Sequence, residues 1–342
     1  MDITILGIES SCDDTSAAVI RDRTLLSNVI ASQAVHQKYG GVIPELASRA
    51  HQQNIIPVVD TALREAGLTV GEIDAIAFTR GPGLLGSLLV GVSFAKGLSV
   101  AHDIPMVEVN HLQGHILSHF IDLPDRELPH PGFPFLCLLV SGGHTQIVRV
   151  DSPLDMEIIG TTIDDAAGEA FDKAARAMGY PYPGGVHIDK AAQTGDRKKY
   201  QLPHPHTANP YDFSFSGLKT AVINLIHNAR QKGEEIDVNS LAACFQYTVA
   251  DILTQKFIAA AKEGGYKTLA LAGGVAANSG LRSMLQQRAD YNHMKVYYPP
   301  LTLCGDNAAM IGCQAYYEYK AGHIAGSDLN AVATMRLDRV TW

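Results

Sequence analysis

Apolar runs cut by small polar turns give way along this chain to stretches of helical spacing, and the changes mark its elements. The opening run I-L-G-I-E-S-S-C-D-D-T-S-A-A-V-I is an apolar stretch, a small polar turn ending at Thr15 and a second apolar stretch. That order predicts a strand, a tight turn and an antiparallel return strand. The design recurs at F-L-C-L-L-V-S-G-G-H-T-Q-I-V-R-V, with its turn at Ser141, Gly142, Gly143, His144 and Thr145, so an internal duplication is expected. Between the copies, A-I-A-F-T-R-G-P-G-L-L-G-S-L-L-V-G-V-S-F-A-K-G-L-S reads as a strand, a Gly81–Gly83 turn and an apolar helix. Gly86, Gly91 and Ala95 would let that helix approach a sheet closely. A third glycine turn, in L-A-L-A-G-G-V-A-A-N at Leu269–Asn278, again joins strand to helix. Strands alternating with helices predict an α/β class.

Within Asn28–Gly67, helical spacing through Leu46, Ala50, Val58, Ala62 and Leu63, stopped by Gly67, predicts a helical insertion or partner surface. The segment Pro124–Pro134 holds four prolines in eleven residues and can continue neither a helix nor a central strand. A lobe boundary is placed there. The expected division is residues 1–131 for the first lobe and 132–306 for the second, with a closing helix in 307–342 rejoining the first.

With 46% hydrophobic and 18% charged residues, the 342-residue chain has the composition of a globular protein able to bury a large core. Its net charge of −8 disfavours nucleic acid as an unaided partner, because neutralising phosphates takes clustered Lys and Arg. Arg197, Lys198, Lys199 and the scattered Arg49, Arg80, Lys173 and Arg176 are the local candidates, and solvated faces are the simpler account of each. Five scattered cysteines (Cys12, Cys137, Cys244, Cys304, Cys313) with no C-x-x-C pair argue against a disulfide framework and a thiolate zinc site. The start has no basic leader, and Glu9 breaks its apolar run, so it reads as a strand rather than a signal peptide. Leu84–Val100, interrupted by Gly, Ser and Lys96, reads as a buried helix rather than a membrane span. A cytoplasmic protein without membrane partners is expected.

Glycine turns can cradle phosphate because backbone N–H groups converge where no Cβ intrudes. Ser141–Thr145 and Gly273–Asn278 are two such turns, and Ser10–Thr15 offers hydroxyls in the first copy, so a nucleotide between the lobes is expected. In D-D-A-A-G-E-A-F-D-K, helical spacing would put Asp165, Glu169, Asp172 and Lys173 on one face, serving either salt pairing or ribose hydroxyls. Asp189 follows a further Gly turn. In V-N-H-L-Q-G-H-I-L-S-H, a helix would align His111, His115 and His119, as a polar stripe or as part of a metal site. Asp306, at the expected start of the closing helix, is the candidate third ligand. Two His and one Asp suit iron(II) or a similar divalent ion acting on a substrate oxygen.

Ten motifs in order, from G-I-E-S-S-C-D-D-T through G-G-V-I-P-E-L-A-S-R, R-G-P-G-L-L-G-S-L, H-L-Q-G-H, L-V-S-G-G-H-T, D-D-A-A-G-E-A-F-D-K, Y-P-G-G, F-S-F-S-G-L-K-T and A-G-G-V-A-A-N to C-G-D-N-A, span about Ile5 to Lys320. Together they closely resemble the TsaD family, the tRNA N6-adenosine threonylcarbamoyltransferases, once described as glycoproteases. The resemblance implies the actin-like ATPase (ASKHA) fold, two RNase H-like lobes around a nucleotide cleft. It implies transfer of threonylcarbamoyl from threonylcarbamoyl-AMP to N6 of the adenosine 3′ of the anticodon, position 37, in tRNAs reading codons that start with A. Carried over residue by residue, the metal ligands are His111, His115 and Asp306, holding iron(II) or zinc and tying segments of both lobes. The adenylate is held by Leu139, Val140, Ser141, Gly142, Gly143, Asp172, Gly185, Asp189 and Asn278. The implied partners are tRNA, a TsaB-like paralogue and a TsaE-like ATPase that offset the acidic charge. The family's first turn often reads C-D-E-T, whereas Asp14 stands here in place of Glu, and His119 carries no family role.

The donor is already an activated anhydride, so no covalent nucleophile is required, and the cysteines read as buried small residues. Three rival readings differ in what they need. A metal-dependent glycoprotease of the H-E-x-x-H type needs a Glu where Leu112 stands. A sugar kinase or ATPase of the same superfamily would not need His111 and His115. A non-catalytic scaffold subunit would use the nucleotide only to lock the lobes.

Overall fold

The computed structural model describes residues 2–33, 36 and 39–338, so the end of the expected closing segment, 339–342, lies outside them. The chain forms two compact units, one of Met1–Pro131, Ser152–Met156 and Pro299–Trp342, the other of Gly132–Asp151 and Glu157–Tyr298. Apart from Ser152–Met156, it leaves the first unit inside the proline-rich stretch and returns at Pro299, ahead of the 307 anticipated from the sequence.

The first unit opens with β1 (Thr4–Glu9), β2 (Thr15–Arg21) and β3 (Thr24–Ala31), followed by α1 (Pro44–Glu65), β4 (Ala75–Gly81), α2 (Leu85–His102), β5 (Met106–Asn110) and α3 (His111–Leu117). β1 and β2 pair antiparallel, from Thr4 opposite Arg21 to Glu9 opposite Ser16, as the strand–turn–strand pattern predicts. β4 and β5 add in parallel, giving a five-stranded sheet of order β3-β2-β1-β4-β5.

The second unit repeats the plan. β6 (Phe135–Val140) and β7 (Thr145–Ser152) pair antiparallel, β8 (Asp155–Thr161) follows, and then come α4 (Ala167–Ala177), α5 (Gly184–Ala192), α6 (Ser216–Lys232) and α7 (Val238–Glu263). β9 (Thr268–Ala272), α8 (Ser279–Tyr291) and β10 (Lys295–Tyr297) complete it. The sheet order β10-β9-β6-β7-β8, with β9 parallel to β6 and to β10, is the first unit's order read from its other end. The duplication therefore extends to the whole sheet.

The chain re-enters the first unit with α9 (Ala308–Lys320). Because side chains alternate along a strand, β1 sends Leu6 and Ile8 to one face, where Ile55, Val58 and Ala62 of α1 and Val92 and Ala95 of α2 meet them. Ile5 goes to the other face, with Met310, Ile311 and Ala315 of α9. Gly7 shares that second face. A Cβ on it would stand 2.5 Å from the Ala308 carbonyl oxygen, so only glycine lets α9 seat its first turn on β1. That close approach brings Asp306, two residues earlier, to its place in the first unit.

Two packing expectations need correction. α1 buries the stripe Ala47, His51, Ile55, Val58, Val59, Ala62 and Leu63, one residue round from Leu46 and Ala50, and ends before Gly67 at φ +68°. α2 is half-buried: Ser87, Leu88, Gly91, Val92 and Ala95 face inward, while Leu85 and Leu89 are exposed. Gly91 approaches β1's continuation at Ser10, whereas Gly86 faces Ser48 of α1 rather than the sheet. Among the described residues, α2 is the one helix long and apolar enough to cross a membrane by length and composition.

Candidate functional site

α3 starts where β5 stops. The Asn110 side chain accepts from the backbone N–H of Leu112 at 2.9 Å, a helix cap that turns the chain from strand to helix in one residue. Leu112 and Ile116 anchor the helix in the core, and the four-residue spacing then sets the His111 and His115 rings edge to face with centroids 4.7 Å apart. A second asparagine cap works on the other segment. Asn307 accepts from Met310 N–H at 3.1 Å at the start of α9 and so presents Asp306 just outside the helix.

The Asp306 Oδ1 lies 3.4 Å from His111 Nε2 and 3.2 Å from His115 Nε2. One donor atom from each of the three lies within 4.8 Å of the others, and among the described residues no other group of three has metal-ligand geometry. All three belong to the first unit, which corrects the expectation that the site ties segments of both lobes: the return of the chain at Pro299 carries Asp306 back to the sheet of β1. His115 is fully buried, with its Nε2 facing Asp306 Oδ1 at 3.2 Å and its Nδ1 without a hydrogen-bond partner. Two imidazoles and a carboxylate whose donor atoms converge in this way fit a divalent cation.

His119 does not join the cluster. The α-helix ends at Leu117, and the following 3-10 turn takes His119 off the face, where its carbonyl accepts from His130 Nδ1. Sequence reading missed Glu9, which it took only as a break in an apolar run. Glu9 ends β1 with no exposed surface, its Oε2 2.9 Å from His111 Nδ1. Thr79 donates to the same oxygen at 2.6 Å, and the Ser11 N–H donates to the other.

Burial and charge pull these groups in opposite directions. Burial would lower the His111 pKa, but Glu9 and Asp306 raise it well above the usual imidazole range. His115, for which burial dominates, is lowered. Burial would raise the Asp306 carboxyl, but the two imidazoles hold it well below the ordinary carboxylate range. Near the same turn, burial pushes Asp14 up to about 6. The thiols of Cys12, Cys137 and Cys313 are all raised by burial, which leaves no activated nucleophile among them.

The expected adenylate residues all lie in the second unit. Leu139 and Val140 close β6, and Ser141 N–H donates to the His144 carbonyl at 2.8 Å, folding the turn back on itself. Gly142 and Gly143 stand exposed at its tip with open space where a Cβ would be. A series of contacts joins the remaining residues to this turn. Gly168 at the start of α4 abuts the Ser141 carbonyl. Asp172 accepts from Gly184 N–H at 2.7 Å, next to Gly185. Asp189 of α5 accepts from the Ser279 hydroxyl at 2.6 Å, and Asn278 caps α8. Gly273, at φ +90°, has the Val140 carbonyl 2.4 Å from its would-be Cβ. These contacts link α4 and the turn after β9 to the β6–β7 turn, and α5 to α4 and to the start of α8.

Asp165 lies before α4 rather than on it and pairs with Lys173 and Lys219, while Glu169 pairs with Lys173 one turn on. These pairings are the salt-pairing account of this stretch. The scattered cations are also largely engaged: Arg49 with Glu45, Arg80 with Glu108, Lys199 with Asp237, and Arg197 over the Tyr247 ring.

The sequence model of the TsaD family, tRNA N6-adenosine threonylcarbamoyltransferase, matches residues 24–313. A protein of that name from Porphyromonas gingivalis is 56% identical over 330 residues, covering 96% of each chain. One from Phocaeicola vulgatus is 53% identical over 322 residues, covering 93% of this chain and 95% of its own. Among solved structures, HypF of T. kodakarensis superposes with a TM-score of 0.59 at 15% identity, over 96% of this chain and 49% of that one, a likeness of fold. The architecture is that of the actin-like ATPases. Identity near one half over almost the whole length, on a fold that gathers the motif residues, places this chain in the TsaD family of tRNA N6-adenosine threonylcarbamoyltransferases.

Proposed function

We propose that this chain transfers the threonylcarbamoyl group of threonylcarbamoyl-AMP to N6 of adenosine 37 in tRNAs reading codons that start with A. The observation that carries this reading is the convergence of buried His111 and His115 with half-buried Asp306 in a chain of this family. Iron(II) is the proposed ion and zinc the alternative. When bound, it supplies a Lewis acid that orients and polarises a substrate oxygen. His111, His115 and Asp306 would hold it.

In the second unit, the Ser141–Gly143 turn would hold the phosphate through backbone amides, and Asp172 and Asp189 would accept from ribose hydroxyls. Their existing contacts with Gly184 and Ser279 hold both carboxylates in place for that role. The carbonyl carbon of a carbamoyl-phosphoryl anhydride is already activated and AMP is a good leaving group, so transfer proceeds directly to N6. A TsaB-like paralogue and a TsaE-like ATPase are the proposed partners. The apolar side chains that α2 leaves exposed, Leu85, Leu89 and Val100, support a protein partner there. With tRNA as substrate, the reaction belongs to the cytoplasm.

The protease reading is disfavoured by Leu112, which is buried in the core where a zincin carries its general base. Mass spectrometry of nucleosides from tRNA incubated with this protein, its partners, threonine, bicarbonate and ATP tests the reading. Threonylcarbamoyladenosine is the expected product, and unmodified adenosine under conditions where a relative's protein is active would overturn it.

A further inference from the structure

The geometry points to Glu9 as a positioning residue of the His111–His115–Asp306 centre, holding His111 as the Nδ1–H tautomer so that its Nε2 lone pair faces Asp306 and a bound cation. This rests on reading the cluster as a metal centre.

Glu9 sits at the end of β1 with no exposed surface. A carboxylate in that position is costly unless it is paired and hydrogen-bonded. Here it accepts from Thr79 Oγ1 and Ser11 N–H, and among the described residues His111 is the one basic side chain within ion-pair distance of it. Thr79 and Ser11 do not need a charge to be satisfied, since a neutral acceptor would serve. The charge makes sense toward the imidazole. A ligating histidine that gives its second N–H to a carboxylate is locked in ring orientation and tautomer and is a stronger donor at the other nitrogen.

The distances separate the two ends of the His111 ring. Nδ1 lies 2.9 Å from Glu9 Oε2 and 3.1 Å from the Ser11 hydroxyl, while Nε2 faces Asp306. Ser11 Oγ can then serve as a second acceptor for the same N–H. The contrast within the cluster is informative, because the Nδ1 of His115 has no partner at all. At Nδ1, one ligand of the pair is pinned by hydrogen bonds and the other by packing. A glutamine at position 9 would keep one acceptor but turn an N–H₂ toward a group that already donates, Thr79 Oγ1 or Ser11 N–H.

The test compares wild type, Glu9→Gln and Glu108→Gln, a control in which the carboxylate paired with Arg80 is neutralised outside the cluster. Each is titrated with zinc(II) alone against a chromophoric chelator, and imidazole ¹⁵N spectra are recorded on zinc-loaded wild type, because in the metal-free protein Glu9 and Asp306 together favour a His111 protonated at both nitrogens. The expected result is an affinity loss of about 10- to 100-fold for Glu9→Gln, little change for Glu108→Gln, and a His111 spectrum of the Nδ1–H form. Equal zinc affinity in Glu9→Gln and wild type would overturn the role of Glu9 while leaving the metal reading intact. No zinc binding by wild type would overturn the metal reading and this inference with it. Should Glu9→Gln fail to fold, the wild-type spectrum decides: an Nε2–H tautomer at His111 refutes the proposal.

Discussion

The two strand–turn–strand copies share a sheet order but end their first strands differently. β1 ends in Glu9, a buried carboxylate tied to Thr79 and His111, and its unit brings Asp306 to the same place. β6 ends in Val140, followed by Ser141 and two exposed glycines, with Gly273 drawn tightly against it. One copy thus gathers charged donors and acceptors suited to a cation, the other backbone amides and small residues suited to a phosphate. The strands set the scaffold, and the residues just past their ends set the chemistry.

The largest expected effect separates the two copies directly. Asp306→Ala should lower zinc affinity by more than about 100-fold, beyond what loss of an outer-shell partner costs, while leaving AMP binding measured with chelator present within about twofold. Asn278→Ala should do the reverse, and calorimetry with each ligand reads both. If either substitution impaired both ligands equally, the division of labour between the copies would be lost.

Gly273→Ala probes how tightly the second copy is built. Its positive φ and the Val140 carbonyl 2.4 Å from the new methyl should cost about 1–3 kcal/mol, read as a lower denaturation midpoint together with weaker AMP binding. Gly142→Ala, at the open tip, is the comparison and should leave stability nearly unchanged.

The smallest effect concerns Asp14 in the first copy. Its folded-state pKa of about 6 lies above the ordinary aspartate value, so the native state binds more protons than the unfolded chain between the two. The stability associated with protonation is present below the ordinary value and is lost as pH rises through about 6. Asp14→Asn should therefore stabilise the protein by about 1–2 kcal/mol at pH 7.5 and hardly at all at pH 4. Denaturant melts at the two pH values check the difference, and an equal gain at both would argue against burial as the cause.

Much of the fold was legible because it is written in local patterns. The apolar runs I-L-G-I-E and F-L-C-L-L-V marked β1 and β6, and Gly67 marked the end of α1. The i,i+4 spacing of His111 and His115 needed only a helix to become a pair. Asp306 was a candidate from its place before the closing helix, the nine adenylate residues came as a set from the resemblance of motifs, and what seats Asp306 is contact between segments about 290 residues apart, such as Ala308 N–H on Ser16 Oγ.

The sequence by itself determined the alternation of strands and helices, the internal repeat, the histidine pair and the family. Periodicity is a property of neighbouring residues, and family motifs are contiguous strings. Only the tertiary structure decided that Asp306 joins the histidines within one unit, that α2 keeps an apolar face outward, that His119 turns away, and that Glu9 stands behind His111. Each of those depends on which distant segment packs against which. A glutamate at the end of an apolar strand becomes a buried acceptor only when the fold supplies Thr79, Ser11 and His111 around it.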